Sequence, residues 1–129
     1  MAHPLRPIRP SRWIGGSRKD YGEFPRQVQE TFGFALFLAQ TGQHPLGAKP
    51  LRGLGNGVVE LVESFDGDAY RSIYTVRFER AVYVLHSFKK KSKSGIKTPQ
   101  AEIELIRRRL RAAEADYAGR QTGEDDEQA

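Results

Sequence analysis

Three runs rich in β-branched and aromatic residues, 58–65, 69–78 and 81–88, follow one another with almost nothing between them. Asp66-Gly67-Asp68 and Glu79-Arg80 have room only for tight turns. Parallel neighbours would need a long crossover, so the three runs must pair as an antiparallel meander. In the second run Tyr70, Ser72, Tyr74, Val76 and Phe78 alternate with Arg71, Ile73, Thr75 and Arg77. That alternation predicts one apolar face and an opposite face carrying positive charge.

The remaining elements must cover this sheet. Arg12-Trp13-Ile14 ahead of Gly15-Gly16 predicts an edge strand with Trp13 in the core. Ser17 and Asp20 have the spacing of a helix start, opening a short turn that ends near Phe24. A firmer helix is predicted from Pro25 to Gly42, with Val28, Phe32, Ala35, Leu36 and Ala39 on one face. Phe34, Phe37 and Leu38 widen that face, which predicts a helix sandwiched between the sheet and another element, a partner surface being the alternative. Residues 43–56 read as a Gly- and Pro-rich loop. In the last helix Thr98 is the N-cap candidate and Pro99 the first residue, and Ile103, Ile106, Leu110, Ala113 and Tyr117 form its stripe. Arg107, Arg108, Arg109 and Arg111 lie mostly off the stripe. The order is β-α-α-β-β-β-α: an α+β domain with helices packed on one side of a small twisted, mainly antiparallel sheet.

The 129 residues suit a single domain, here 11–118. Residues 1–10, with Pro4, Pro7 and Pro10, read as a disordered leader in which His3 is incidental. Residues 119–129 read as a disordered acidic tail. No apolar run approaches the ~20 residues of a membrane span, and the N-terminus lacks a signal peptide's apolar stretch. Cysteine is absent, which removes disulfides and thiolate chemistry. A cytoplasmic protein is expected. Residues 121–129 hold four acids and no Lys or Arg, so leaving them out raises the net charge from +5 to +9. A body that basic attracts polyanions, nucleic acid before membrane.

Most signatures of chemistry are missing. Gly53-Leu54-Gly55-Asn56-Gly57 precedes a strand instead of opening a helix, so it lacks the context of a phosphate loop. No histidine or acid spacing points to a metal site, no cofactor motif is present, and no serine has an evident base. What remains is cationic. Lys89, Lys90, Lys91, Lys93 and Lys97 follow the last strand, and no acid falls between Ala81 and Gln100. Such a run is ordinarily a solvated loop. Here it leaves a strand next to the one bearing Arg71, and Lys49 and Arg52 sit on the loop feeding the sheet. These segments can converge on one basic surface that follows a phosphate backbone. Tyr70, Tyr74 and Phe88 flank the cations. Packing suits Tyr74, whereas for Phe88 packing and base stacking are equally open.

Tyr70-Arg71-Ser-Ile-Tyr74-Thr-Val-Arg77-Phe78, Tyr83-Val-Leu-His86-Ser-Phe88-Lys89-Lys90-Lys91-Ser92 and Lys97-Thr98-Pro99 stand in that order before and into a helix. With Lys49-Pro50-Leu51-Arg52-Gly53-Leu54 ahead of Val58-Val59-Glu60-Leu61, the chain resembles the HigB-like branch of the RelE/ParE toxin superfamily. The resemblance covers Arg12 to Tyr117. It implies a toxin of a type II toxin–antitoxin pair, an endoribonuclease that cleaves mRNA on the ribosome and needs no cofactor. Its partner would be a helix-turn-helix antitoxin from the adjacent gene, in a hetero-oligomer.

Cleavage by the neighbouring 2′-OH needs a base for that proton, charge on the crowded phosphate and an acid for the leaving oxygen. The resemblance puts Arg71 against the scissile phosphate, where a forked, permanently charged guanidinium fits. Lys90 and Lys91 would add charge or a proton, and Lys49 would join the catalytic group. Arg52, Lys89, Lys93, Lys97 and Phe88 would hold RNA. Glu60 is a candidate base or a simple ion-pair partner. His86 is a group that can titrate near neutrality or a satisfied core histidine. Some relatives use a tyrosine or histidine near the C-terminal end, but only Tyr117 stands there in this chain, so acid and base stay open. Two other classes compete: a ParE-like gyrase inhibitor without nuclease activity, and a plain nucleic-acid-binding module.

Overall fold

The computed structural model describes residues 7–91 and 98–128. Eight elements follow in order: β1 (Ser11–Trp13), α1 (Ser17–Gly22), α2 (Arg26–Gln40), β2 (Lys49–Pro50), β3 (Val58–Phe65), β4 (Asp68–Thr75), β5 (Val82–Lys91) and α3 (Gln100–Gln128). The strands form one sheet in the order β1-β5-β4-β3-β2. β1 runs parallel to β5, and every other pair is antiparallel. The predicted meander is present, and the edge strand lies where Arg12-Trp13 placed it. The β3–β4 hairpin turns through Asp66 and Gly67, both at positive φ (52° and 83°), which matches the right-handed twist of the flanking strands. The two-residue strand β2, inside the segment read as loop, is additional.

Helices cover both faces of the sheet, not one as expected. α1 and α2 lie on the first face, where Phe24, Val28, Phe32, Ala35, Leu36 and Ala39 pack on Val59, Leu61, Tyr70, Tyr74, Val82 and Val84. α3 lies on the second, where Ile106, Leu110 and Ala113 pack on Val58, Ile73, Tyr83 and Leu85. Both helical stripes therefore face the sheet, but from opposite sides. The face of the second run expected to carry positive charge does hold Arg71, but α3 lies over it, so Arg71, Ile73 and Thr75 are buried. The run's alternation also fails at its end. β4 stops at Thr75, so Val76 packs with the first cluster and Phe78 with the second.

Smaller expectations also change. Ser17 does not cap α1. It is the first helical residue, and its buried hydroxyl donates to the Val84 carbonyl at 3.1 Å, tying α1 to β5. Pro25 is the N-cap of α2, one residue ahead of the helix. Phe34 and Phe37 are 64% and 47% exposed, so no further element of the described residues sandwiches α2. The leader is fixed by residue 9, and residues 1–6 lie outside the described residues. Arg9 donates to the carbonyls of Ala39 at 2.7 Å and Phe78 at 3.0 Å, and its amide donates to the Gln40 carbonyl. The acidic segment read as a tail continues α3, which runs to Gln128.

The glycine-dense loop has a structural use. Arg77 donates to the carbonyls of Asn56 at 3.0 Å and Leu54 at 2.8 Å, so the loop wraps around its guanidinium. At Gly57, φ is 81° and a Cβ would stand 3.0 Å from the Arg77 backbone nitrogen, leaving space only for glycine.

Candidate functional site

Register decides which side chains meet, because residues directly opposite on neighbouring strands share a face. Lys49, Glu60, Ile73 and His86 form one row across β2, β3, β4 and β5. Val62, Arg71 and Phe88 form the next row. Ile73 and Phe88 pack against α3, which puts both rows on that helix's side. Ala69 and Lys90 continue the series one row further out. Lys49, Glu60, Arg71, His86, Phe88 and Lys90 therefore share one sheet face at the start of α3. The resemblance had named all six.

At the centre is a buried ion pair. Arg71 Nη1 lies 2.9 Å from Glu60 Oε2, and their side chains are 3% and 11% exposed. They are diagonal neighbours, since Glu60 pairs with Ile73, two residues beyond Arg71. Thr98 joins them. Its Oγ1 donates to Glu60 Oε2 at 2.5 Å and accepts from Arg71 Nη1 at 3.4 Å. The residue expected to cap α3 thus closes over the arginine and the carboxylate, just ahead of the helix.

His86 occupies the neighbouring row in a closed arrangement. Arg109 Nη1 donates to His86 Nδ1 at 3.2 Å and to the Leu85 carbonyl at 3.1 Å. A guanidinium can only donate, so Nδ1 accepts and the ring proton sits on Nε2, which bonds Glu102 Oε2. Leu85 is the extra residue at the β-bulge opposite Ile73 and Tyr74, and Arg109 satisfies its displaced carbonyl. Burial lowers the His86 pKa, and Glu102 offsets part of that effect. Buried and bonded at both nitrogens, His86 has the surroundings of a satisfied histidine. Phe88 stacks on it, centroids 4.8 Å apart at 21°, and is partly buried against the α3 cluster.

The lysines divide. Lys90 is half-buried on the Arg71 side. Lys89 faces the other way, opposite Tyr70, with its Nζ 3.7 Å from Asp68 Oδ2. Lys49 is exposed in line with Glu60, and Arg52 is exposed in the loop after β2. Lys91 ends β5 opposite Asp68, while Lys93 and Lys97 lie outside the described residues. The aromatics are structural. Tyr70 packs edge-on against Phe24, centroids 5.0 Å apart, and burial pushes the Tyr74 hydroxyl up to about 12.

Sequence reasoning passed over Glu102 and Asp116 and gave Arg109 no role. Their signal was a seven-residue spacing, two helical turns, which puts Glu102, Arg109 and Asp116 on one flank of α3. All three bond the sheet from that flank: Glu102 and Arg109 reach His86, and Asp116 accepts from Tyr83 at 2.5 Å.

An α+β protein of this architecture, with an arginine–carboxylate pair on the α3 face of its sheet, is what the geometry defines. Residues 19–111 match the family described as phage-derived Gp49-like protein (DUF891), and the chain belongs to that family. No curated protein matches it. Among solved structures it is similar to the free state of a double arginine-to-alanine mutant of the E. coli toxin RelE. That alignment has 16% identity, covers 68% of this chain and 87% of the other, and gives a TM-score of 0.49.

Proposed function

We propose that this chain is the toxin of a type II toxin–antitoxin pair, of the HigB-like kind, and cleaves mRNA. The observation that carries the reading is the Arg71–Glu60 pair under Thr98, with Lys49 and Lys90 on the same face. A substrate phosphate offers the forked Arg71 guanidinium two oxygens and competes with the Glu60 carboxylate for it. Once the phosphate takes the guanidinium, Glu60 is released beside the reacting group. It then accepts the 2′-OH proton as that oxygen attacks phosphorus. The 5′-oxygen departs with a proton from the lysine cluster, leaving a 2′,3′-cyclic phosphate. The arginine stabilises the extra charge of the crowded phosphate, a contribution typically worth roughly 10²–10³ in rate.

The positive body suits mRNA held on the ribosome, and a helix-turn-helix antitoxin encoded alongside keeps the enzyme silent in the cytoplasm. Among the described residues no helix is long and apolar enough to cross a membrane. The test is induction of the chain alone in bacteria, following growth, transcript length and plasmid supercoiling. Growth arrest with shortened messages and normal supercoiling is expected. Arrest with altered supercoiling and intact messages would transfer the chain to gyrase inhibition. Unimpaired growth with intact messages would end the toxin reading.

A further inference from the structure

We propose that the hollow between β1, α1 and the distal half of α3 is a separate phosphate-binding site for the backbone of an RNA chain. The hollow encloses about 460 Å³ and is lined by Arg12 from β1, Arg18 from α1 and Arg120 from α3, with Tyr83 and Asp116 at its wall. Arg12 Nη1 donates to Tyr83 Oη at 3.2 Å, and its guanidinium stands 5.8 Å from that ring's centroid. Tyr83 Oη donates to Asp116 Oδ2 at 2.5 Å, and Arg120 Nε donates to the same oxygen at 2.8 Å. Three guanidinium charges from three elements therefore face a single carboxylate, one oxygen of which is already shared. Each arginine carries five N–H donors, and these two bonds take one each from Arg12 and Arg120. The surplus in charge and in donors is what a phosphodiester supplies in reverse.

The position favours a nucleic acid over an acidic peptide. Asp116 lies 18 residues beyond Thr98. At 1.5 Å per residue that is about 27 Å along α3, too far for one phosphate to touch both sites. Exposed Arg108 and Arg111 stand between them on the same helix. Exposed Glu104 and Glu114 interrupt that stretch, so the choice of a phosphodiester rests on the three guanidinium groups of the hollow itself, which a chain with a charge at every residue step can meet without a sequence of its own. The charged residues of the hollow, Arg12, Arg18, Asp116 and Arg120, fall outside residues 19–111, the segment that matches the family, whereas Tyr83 in its wall lies within it.

The test uses the full-length chain and a short fluorescein-labelled single-stranded RNA, titrated across a salt series. Arg18 and Arg120 are exposed, so R18Q/R120Q should keep the melting temperature while binding about tenfold more weakly at low salt. The slope of log affinity against log salt should fall by about 0.7 for each phosphate that the variant no longer neutralises. If the double variant melts early, Arg18→Gln alone should show the same change in smaller measure. Unchanged affinity and slope would overturn the proposal, as would a wild-type chain that does not bind the RNA. A variant that binds RNA normally but loses a co-purifying acidic protein would also overturn it and assign the hollow to that protein. The readout is binding, so a chain that binds RNA here yet leaves messages intact would retain this site while losing the nuclease reading.

Discussion

The two faces of the sheet are both covered by helices, but with different chemistry. Beneath α1 and α2 the contact is almost wholly apolar, with Val28, Phe32 and Ala39 shut away from solvent. Beneath α3 the apolar stripe of Ile106, Leu110 and Ala113 is flanked by ionisable pairs: Glu60 with Arg71, and Glu102 and Arg109 with His86. A buried ion pair stabilises a fold little more than well-packed apolar groups would, because desolvation cancels most of its attraction. Removing one partner is another matter, since the other charge is left uncompensated. One face thus holds the molecule together, and the other holds charged groups in fixed positions at the expense of some stability.

Arg71→Ala is the hardest blow to that contrast. It strands the Glu60 carboxylate and should destabilise the fold by about 3–5 kcal/mol. It should also remove roughly 10²–10³ of the cleavage rate per folded molecule. The two losses separate in the double variant Arg71→Ala/Glu60→Ala. Denaturant melts should show much of the stability restored, while cleavage of a reporter message stays lost. Recovery of cleavage along with stability would make the pair purely structural.

Phe32→Ala probes the opposite face. Phe32 is 1% exposed and touches no candidate catalytic group, so the expected cost is about 3–5 kcal/mol of stability alone. Cleavage per folded molecule, measured where the variant is still folded, should match the parent. A large loss of specific activity would show that the two faces are coupled through the sheet and that the contrast is false.

Much of this architecture was legible because strand and helix periodicities report burial directly. The meander between Val58 and Phe88 and the stripes of α2 and α3 are of that kind. Periodicity says that a face is covered but not by what, so the side of the sheet taken by α3 was out of reach. The same blindness hid the burial of Arg71. An arginine alternating with apolar residues reads as an exposed position unless its carboxylate partner is known, and Glu60 lies on a different strand. Lys49, Arg71 and Lys90 stood out by their charge, Glu60 came in only with the likeness to a family, and register supplied their common face. Glu102 carried a signal in its spacing to Arg109, which is easily read as surface charge on a helix.

The mildest test of the contrast is pH. His86 faces Glu102 and Arg109 from α3 and Asp20 from α1, and its folded pKa is lowered, chiefly by burial, with Arg109 adding to the effect. An unfolded histidine titrates near 6.5, so above about that pH both states hold His86 neutral and its contribution to stability is complete. As pH falls below that value the unfolded chain binds the proton more readily than the folded one, and stability declines. The loss stops once pH passes below the depressed folded value, where both states are charged. Physically, a second proton on His86 would sit on Nδ1, against the Arg109 guanidinium, and would loosen the first turns of α3 from β5. Melting temperatures from pH 8 to pH 5 should therefore fall more steeply for the parent than for His86→Gln, which has no titrating ring. Superimposable pH profiles for the two proteins would mean that the His86 network titrates alike in folded and unfolded chains, and the ionisable character assigned to the α3 face would not reach as far as stability.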